Sequence, residues 1–355
     1  MTRVLPVRWS SVVATLAVAC FASGTASADV FDFSFNRLVV GPQQQVPPAP
    51  MGSFADPTDK YNISHGVLKA YRQVISEMSV ALAPKILTTA DTVGYSGFHF
   101  SIDYSLTTIS NTQCADNNAA TAQKDLCPFQ YGVEGSANAN GGHVSPPGVV
   151  QTVSVMARKG IWLPVPSFEI GAGATKVMQS NLFAVNVYGK LSLHEGFHGW
   201  PVPSLMVRGS AVRVMGQSQL DLTMAQVDAA ISKSFGIAGS VTLVPYLGAA
   251  WLYIIPRGQV LDLTPNVDSW RQGPNSLDLN NNAVFPSEAN ENITRWRFFG
   301  GFRLNYNVLV FTTDLIVTPC GDFNGGCKDD RHKNATVPDN AATQYTYSAS
   351  AGFLF

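Results

Sequence analysis

The chain has 355 residues and a formal net charge of -1, from 23 Lys plus Arg against 24 Asp plus Glu. This balance offers no basic surface to a nucleic acid, which excludes that class of partner. Only 13% of the residues are charged and 46% are apolar, whereas an ordinary soluble domain has roughly 25% charged residues. We therefore expect something other than water to cover part of the surface. No run of about 18 apolar residues follows the first thirty positions, which excludes membrane-spanning helices in the mature chain.

Residues 1–28 have the pattern of a secretory signal peptide. Arg3 and Arg8 precede the apolar run of residues 12–21, and Ala26-Ser27-Ala28 fits the small-residue cleavage site. We expect cleavage after Ala28. Lipidation at Cys20 is the alternative, but Ala17 stands where a lipoprotein signal has a branched residue.

The remaining four cysteines form two close pairs in sequence, Cys114 with Cys127 and Cys320 with Cys327. An even number in an exported chain indicates disulfides, and of the three possible pairings the two local bonds close the shortest loops. Neither pair has the C-x-x-C spacing of a zinc site. The sequence predicts two local disulfides and no metal.

Apolar and polar residues alternate repeatedly from Gly97 to Phe355, as expected of strands with two different faces. In the first such segment Phe98, Phe100 and Ile102 alternate with His99 and Ser101. We predict ten strands, within a range of eight to twelve, over residues 97–108, 149–160, 165–177, 181–193, 203–216, 219–233, 240–255, 294–306, 308–318 and 343–355. The sixth changes face midway, which implies a bulge, and the seventh is apolar on both faces.

These strands are about twice as long as usual globular strands and fit a tilted crossing of a bilayer. The long connections, residues 109–148, 256–293 and 319–342, all follow odd-numbered strands, and the connections after even-numbered strands are short. This is the pattern of a transmembrane, antiparallel, up-and-down β-barrel with long external loops. A secreted β-sandwich or a lipocalin-like barrel is the soluble alternative. Aromatic residues near strand ends favour the membrane barrel, as at Trp162, Trp251, Tyr253 and Trp296.

The chain resembles bacterial outer-membrane β-barrel proteins from Gly97 to the C-terminus. Tyr345, Tyr347, Phe353 and the final Phe355 are similar to the C-terminal strand signal of these proteins. The resemblance implies assembly by the barrel-assembly machinery after export. It also implies a location in the bacterial outer membrane, with outer-membrane lipid and lipopolysaccharide as partners.

The segment before the barrel has a different pattern. Residues 29–60 are Pro-rich and predict an extended linker, with an added strand over residues 31–40 as an alternative. Residues 61–96 contain an amphipathic helix of about eighteen residues, with Ser64 as N-cap and Pro84 after its end. Its polar face includes Arg72 and Glu77, and its apolar face consists of Val67, Leu68, Tyr71, Val74, Ile75, Met78 and Leu82.

This helix must cover its apolar face, and two positions would do so. One is a plug inside the barrel lumen, similar to the N-terminal hatch of outer-membrane transporters for hydrophobic compounds. The other is a periplasmic helix that lies against the barrel mouth or forms a first stave of the barrel.

The polar side of the strands supplies candidates for pore-lining residues. These are His99, Asp103, Glu169, Asn186, Lys190, Arg297, Arg303 and Asp314; the strand register decides whether Arg208, Arg213, Asp221 and Asp228 join them. Both signs of charge occur, so the groups could select a solute or neutralise one another in a filled lumen.

Signals for an enzyme or a metal site are incomplete. His99 and Ser101 are similar to the His-x-Ser pair of outer-membrane lipid A deacylases, but Ile102 replaces the Asn that follows in those enzymes. His194 and His198 fall at a predicted turn, and the calcium-like run from Asp278 to Asn282 is followed by Ala283 in place of the required Gly. We therefore expect neither an enzyme nor a cofactor.

The leading functional hypothesis is a channel or transporter for a small solute. A structural or adhesive surface barrel with a filled lumen is the second hypothesis, and a lipid-modifying esterase is the third.

Overall fold

The computed structural model describes residues 29–40, 65–111, 127–137, 143–161, 167–195, 202–262, 282–321 and 337–355. Several sequence predictions lie outside these residues. They are the signal peptide with Cys20, the Pro-rich stretch from residue 41 to Ser64, Cys114, Trp162, His198, the calcium-like run from Asp278 and Cys327. The two disulfide pairings therefore stay predictions.

Ten long strands form one closed antiparallel barrel. Each strand pairs with the next in sequence, and the last pairs with the first along nine residue pairs from His99 with Leu354 to Thr107 with Thr346. The strands are β1 (Phe98–Thr108), β2 (Val149–Ile161), β3 (Ser167–Val177), β4 (Phe183–His194), β5 (Ser204–Met215), β6 (Leu220–Ser232), β7 (Val241–Gly258), β8 (Ile293–Tyr306), β9 (Leu309–Thr318) and β10 (Gln344–Leu354). The predicted ten-strand up-and-down topology is confirmed.

The outer face of the barrel is apolar and its inner face carries the polar side chains. In β1, Ile102 and Tyr104 are more than two-fifths exposed, whereas His99, Ser101 and Asp103 are buried. A soluble barrel would have the opposite arrangement, because water would then cover the outside. The apolar exterior therefore identifies a barrel whose solvent is lipid.

The two ends of the barrel differ. The end that carries the connections after odd-numbered strands is here called the loop end, and the opposite end the turn end; the long connections all lie at the loop end. In outer-membrane barrels the long loops face outward and the short turns face the periplasm. The loop end is accordingly the external end.

The predicted bulge in the sixth strand is wrong. The pairing of β6 with β5 is continuous from Ser204 with Ser232 to Arg213 with Thr223. The register instead shifts at Ser192/His194 in β4 and at Val241/Thr242, where a short strand, Phe235–Ala238, pairs with the start of β7. The apparent change of face in β6 has another cause, described with the lumen below.

Within the part of the chain that the structure describes, three helices accompany the barrel, namely α1 (Phe35–Val40), α2 (His65–Leu82) and α3 (Pro128–Tyr131). Among the described residues, no helix is long and apolar enough to cross a membrane. The eighteen-residue helix α2 agrees in place and length with the predicted amphipathic helix.

The prediction of an extended linker, or of a strand, for residues 31–40 is wrong. Phe31, Phe33 and Phe35 are buried, and α1 begins at Phe35. The Asp32 carboxylate accepts hydrogen bonds from Ser180 Oγ (2.6 Å) and Asn181 N (2.7 Å) in the connection between β3 and β4. The buried aromatic side chains and the Asp32 carboxylate together anchor this segment to the loop end.

Candidate functional site: the occupied lumen

Helix α2 lies inside the loop end of the barrel. Its side chains from Met78 to Leu82 are almost fully buried. Every residue of the predicted apolar face is also buried. This face packs in one cluster with inward residues of the wall, among them Val150, Val212, Leu222, Leu252 and Ile293. The inward face at this end is apolar on β2 to β8 because it contacts a helix and not water.

This contact explains the two irregular strand patterns. In β6, Leu220, Leu222 and Met224 point inward to the helix, and further along the same face Gln226 and Asp228 are polar. In β7, Leu252 and Ile254 are apolar on the inner face for the same reason. A single inward face thus changes from apolar to polar between the loop end and the turn end.

The polar face of α2 binds the opposite part of the rim. The Glu77 carboxylate accepts hydrogen bonds from Ser110 N (2.7 Å), Ser110 Oγ (2.8 Å), Gln73 Nε2 (3.0 Å) and Ala342 N (3.1 Å). Arg295 of β8 donates to Ser76 Oγ at 2.7 Å. Both faces of the amphipathic helix are therefore satisfied by protein.

Two carboxyl groups at the loop end, those of Glu77 and Asp339, have pKa values above the ordinary value. Burial raises the pKa of Glu77 above its ordinary value, and the hydrogen bonds from Ser110, Ala342 and Gln73 offset this only in part. Burial also raises the pKa of Asp339, against the opposing effect of the Arg295 charge. Docking of α2 therefore favours the protonated form of both groups.

After α2 the chain continues through the lumen as an extended segment. Residues 83–93, here called the luminal segment, run from α2 to the turn end, where β1 begins at Phe98. We refer to α2 and the luminal segment together as the plug. The contacts with the loop end exclude the predicted periplasmic position of the helix, whereas the alternative of a plug inside the lumen agrees with the structure.

Arginine side chains of the wall hold the first part of the luminal segment. Arg208 of β5 donates to the carbonyl oxygens of Lys85 (3.1 Å) and Ile86 (3.3 Å) and forms an ion pair with Asp228 of β6 at 3.0 Å. Arg297 of β8 donates to the Pro84 carbonyl at 3.1 Å. These carbonyls have no strand partner, so the guanidinium groups replace a sheet neighbour.

Acceptors of the wall bind the backbone N–H groups of the same segment. Asp314 accepts from Leu87 N (3.1 Å), Ser232 from Ala90 N (3.0 Å) and Glu195 from Thr92 N (2.8 Å). The segment is thus bound along its length by side chains from the wall of β3 to β9.

A buried ion pair closes the network near the turn end. Lys190 Nζ lies 3.0 Å from Glu169 Oε2, and both side chains are almost fully buried. Lys190 also donates to the Asp91 carbonyl (2.9 Å), and Glu169 accepts from Val93 N (2.9 Å) and Tyr188 OH (2.7 Å). Lys190 Nζ and Glu169 Oε2 therefore hold the luminal segment, while Glu169 Oε1 is held by Tyr188 of β4.

Among the described residues, the wall of β10, β1 and β2 makes no hydrogen bond to the luminal segment, whereas β3, β4, β5, β8 and β9 do. Its inward polar groups include buried atoms without a hydrogen-bond partner among the described residues, on His99, Ser101, Asp103, Ser105, Thr152, Arg158 and Ser348. They form a continuous stripe, because His99 pairs with Arg158 and Ser105 with both Thr152 and Ser348 across the strands. We call this set the polar stripe.

The structure places all the pore-lining candidates on the inner face, where each is buried: His99, Asp103, Glu169, Asn186, Lys190, Arg297, Arg303 and Asp314. Arg208 and Asp228 join them. Arg213 and Asp221 instead form an ion pair that is partly exposed. Sequence reasoning missed Arg158 and Lys85; the alternation of β2 places Arg158 inward and would have identified it, but no periodic signal marks Lys85.

The remaining site predictions have different outcomes. His99 and Ser101 both face the lumen, but no hydrogen bond joins them, so the described residues contain no assembled Ser-His pair. The aromatic side chains of the C-terminal signal, Tyr345, Tyr347, Phe353 and Phe355, are all about half exposed or more, on the lipid side. Among the described residues no cluster of His, Cys, Asp and Glu could hold a metal ion.

No family model and no curated protein matches the chain. Solved structures similar to it include the attachment invasion locus protein Ail of Yersinia pestis, with 9% identity over 74% of this chain and 100% of that chain and a TM-score of 0.25. LpxR from Salmonella typhimurium has 8% identity over 73% and 100%, with a TM-score of 0.31. An outer-membrane channel from Pseudomonas putida F1 has 10% identity over 74% and 96%, with a TM-score of 0.29.

Classification therefore rests on the geometry of the chain itself. A closed ladder of ten antiparallel strands leaves no free sheet edge, its exterior is apolar, and its interior is polar toward the turn end. The protein is a bacterial outer-membrane β-barrel.

Proposed function

We propose that the protein is a gated channel for small polar solutes, in which the plug controls passage along the polar stripe. One observation carries this proposal: among the described residues, the wall's hydrogen bonds to the luminal segment come from β3 to β9 and none comes from the polar stripe, each residue of which keeps a buried polar atom without a protein partner. The two sides of the same lumen are therefore chemically unequal.

Unpartnered buried polar groups are costly. Each costs about 1–3 kcal/mol when nothing replaces the hydrogen bonds to water. These atoms of the seven residues are inaccessible to water in this structure, so we expect water or a polar solute to reach them when the plug moves. Ser101, Ser105, Thr152 and Ser348 are small as well as polar, which leaves more room beside the plug than longer side chains would.

The proposal needs no cofactor and no covalent chemistry. The expected partners are outer-membrane lipid and lipopolysaccharide around the barrel, the barrel-assembly machinery during its insertion, and a small-molecule substrate in the lumen. A structural or adhesive surface barrel is the second candidate, and the two buried ion pairs that hold the plug favour it. The lipid-modifying esterase is the weakest candidate, because His99 and Ser101 lack the hydrogen bond that would activate a serine.

Planar-bilayer conductance of the refolded protein tests the proposal. We expect a small conductance from the mature chain and a larger one from a variant that lacks residues 29–93. Ser105→Trp, which places a large side chain in the polar stripe, should reduce the conductance of the mature chain at least severalfold.

Tyr104→Trp is the matched control, because Tyr104 is adjacent to Ser105 but 41% exposed on the lipid side. It should leave the conductance unchanged. A change of migration on boiling in detergent verifies that each variant is a folded barrel. If both the mature chain and the truncated variant fold but stay silent, the channel is refuted and the surface barrel is favoured.

A further inference from the structure

One arginine of the lumen is buried without a partner. Arg158 of β2 is 5% exposed, and none of the described residues accepts a hydrogen bond from its guanidinium group or lies within ion-pair distance of it. The other arginines of the lumen bind carbonyl, amide or carboxylate oxygens of the plug and the wall. Since guanidinium carries five N–H donors and stays charged, burial without an acceptor is unfavourable.

Further donors surround this guanidinium. His99 lies directly opposite Arg158 across β1 and β2, is 2% exposed, and has neither ring nitrogen hydrogen-bonded. Ser101 follows on the same face with an unpartnered hydroxyl. The charge of Arg303 lies near enough to interact electrostatically with both Arg158 and His99.

The carboxylates near Arg158 accept most of their hydrogen bonds from other groups. Glu169 is bound by Lys190, Tyr188 and the backbone of Val93. Asp103 accepts from Ser350 at 2.5 Å and keeps one free oxygen, which is not within 4 Å of Arg158. The carboxylate of Glu195 binds Thr92 of the chain near the turn end. The charges of Asp103 and Glu169 act on Arg158, but neither carboxylate lies within ion-pair distance of it, so the guanidinium N–H groups stay without an acceptor among the described residues.

We propose that Arg158, His99 and Ser101 form a binding site for a small oxyanion at the turn-end part of the polar stripe. A guanidinium fork matches two oxygens of a phosphate, a sulfate or a carboxylate, and an imidazole N–H and a hydroxyl can donate to the remaining oxygens. Arg303 adds a second positive charge across the lumen. The site lies between the luminal segment and the β1–β2 wall.

This inference rests on the proposed function, because it names the solute class of the channel as small anions. Binding can nevertheless be measured without conduction. A barrel that conducts but binds no anion refutes only the inference, and a barrel that binds an anion but never conducts refutes only the channel.

The test is equilibrium binding to the full mature protein, folded in a neutral detergent at constant ionic strength, with chloride as the background anion. Inorganic phosphate, sulfate and acetate are titrated separately. We expect saturable binding of one anion per chain, with phosphate or sulfate ahead of acetate if the occupant is tetrahedral and acetate ahead if it is a carboxylate. Saturable binding of none of the three overturns the site.

Substitutions locate the site. Arg158→Gln should weaken binding at least tenfold, and Arg158→Lys, which keeps the charge but loses the fork, should weaken it less. Arg213→Gln is the control, because it removes a guanidinium that is partly exposed outside the lumen, and its affinity should stay within twofold of the unchanged protein. The anion affinity of each folded Arg158 variant is compared with that of Arg213→Gln. If Arg158→Gln or Arg158→Lys binds the anion as tightly as Arg213→Gln does, the assignment is overturned.

Discussion

Glu77 is the residue through which the plug helix is fixed to the barrel rim. Its carboxylate accepts hydrogen bonds from two backbone N–H groups, Ser110 N and Ala342 N, which lie two residues after β1 and two residues before β10. These two strands close the barrel. A single side chain therefore connects the plug to both sides of the closing seam.

We expect Glu77→Ala to loosen the helix without opening the barrel. The substitution removes the acceptor of two backbone amides and the Ser110 hydroxyl, at about 1 kcal/mol for each bond, or about 3 kcal/mol in total. Hydrogen exchange of the α2 amides should accelerate roughly a hundredfold, while exchange of the strand ladder stays unchanged. Glu288→Gln, at an exposed position of the same end, is the control and should exchange as the unchanged protein does.

The raised pKa values of Glu77 and Asp339 give docking a pH dependence. Because the docked state binds protons more tightly than the undocked state, its stability is greatest below the ordinary carboxyl pKa and falls as the pH rises through the raised values. The protection of the α2 amides against hydrogen exchange, corrected for the intrinsic pH dependence of exchange, should therefore be lower at pH 8 than at pH 5. Glu77→Gln should make this profile shallower, because only Asp339 then contributes, and a wild-type profile that rises with pH would contradict the assignment.

The luminal segment distinguishes this barrel from one whose lumen is filled only by side chains of its own strands. It is extended but unpaired, and Arg208, Arg297 and Asp314 take the place of a neighbouring strand. Side chains can be substituted one at a time, whereas a strand ladder cannot. Replacing Arg208 would weaken the hold on the plug but would also leave Asp228 buried without its ion-pair partner.

The position of α1 and α2 fixes the topology of the N-terminal region. Both helices contact loop-end residues, so the chain between them, residues 41–64, begins and ends on that side. We predict that an epitope tag inserted after Pro48 is accessible to antibody on intact cells.

A tag inserted between Gly239 and Ser240, in the turn-end connection of β6 and β7, is the matched control. It should react only after the outer membrane is permeabilised. Reaction of the Gly239 tag but not the Pro48 tag on intact cells would reverse the assigned orientation.

Sequence patterns predicted where the strands and the helix lie better than they predicted which groups their side chains contact. Alternation located all ten strands, since lipid and lumen impose opposite preferences on successive residues. The same alternation was misread in β6 because Leu222 and Met224 face a helix inside the lumen. Helical periodicity likewise identified both faces of α2, but it could not show that Arg72 and Glu77 bind protein and not water. Such contacts join residues more than 200 positions apart in two of these cases, and no local pattern records them.

At the scale of the whole molecule, the interior has two zones. An apolar zone surrounds α2 at the loop end, and a charged zone surrounds the luminal segment toward the turn end. An eight-stranded barrel is just wide enough for its own side chains to fill. Two further strands enlarge the circumference, and here the additional space holds a segment of the same chain.

This enclosure has a consequence for the order of folding. The seam between β1 and β10 joins positions as distant as His99 and Leu354, and closing so long a loop is entropically unfavourable and slow. Glu77 and Gln344, however, meet through the plug, since the Gln344 amide donates to the Glu77 carbonyl and to the Thr108 carbonyl. Once contacts with the N-terminal segment hold β10 beside β1, pairing of the two strands requires closure of a much shorter loop. We therefore expect the plug to act as an internal template on which the barrel closes.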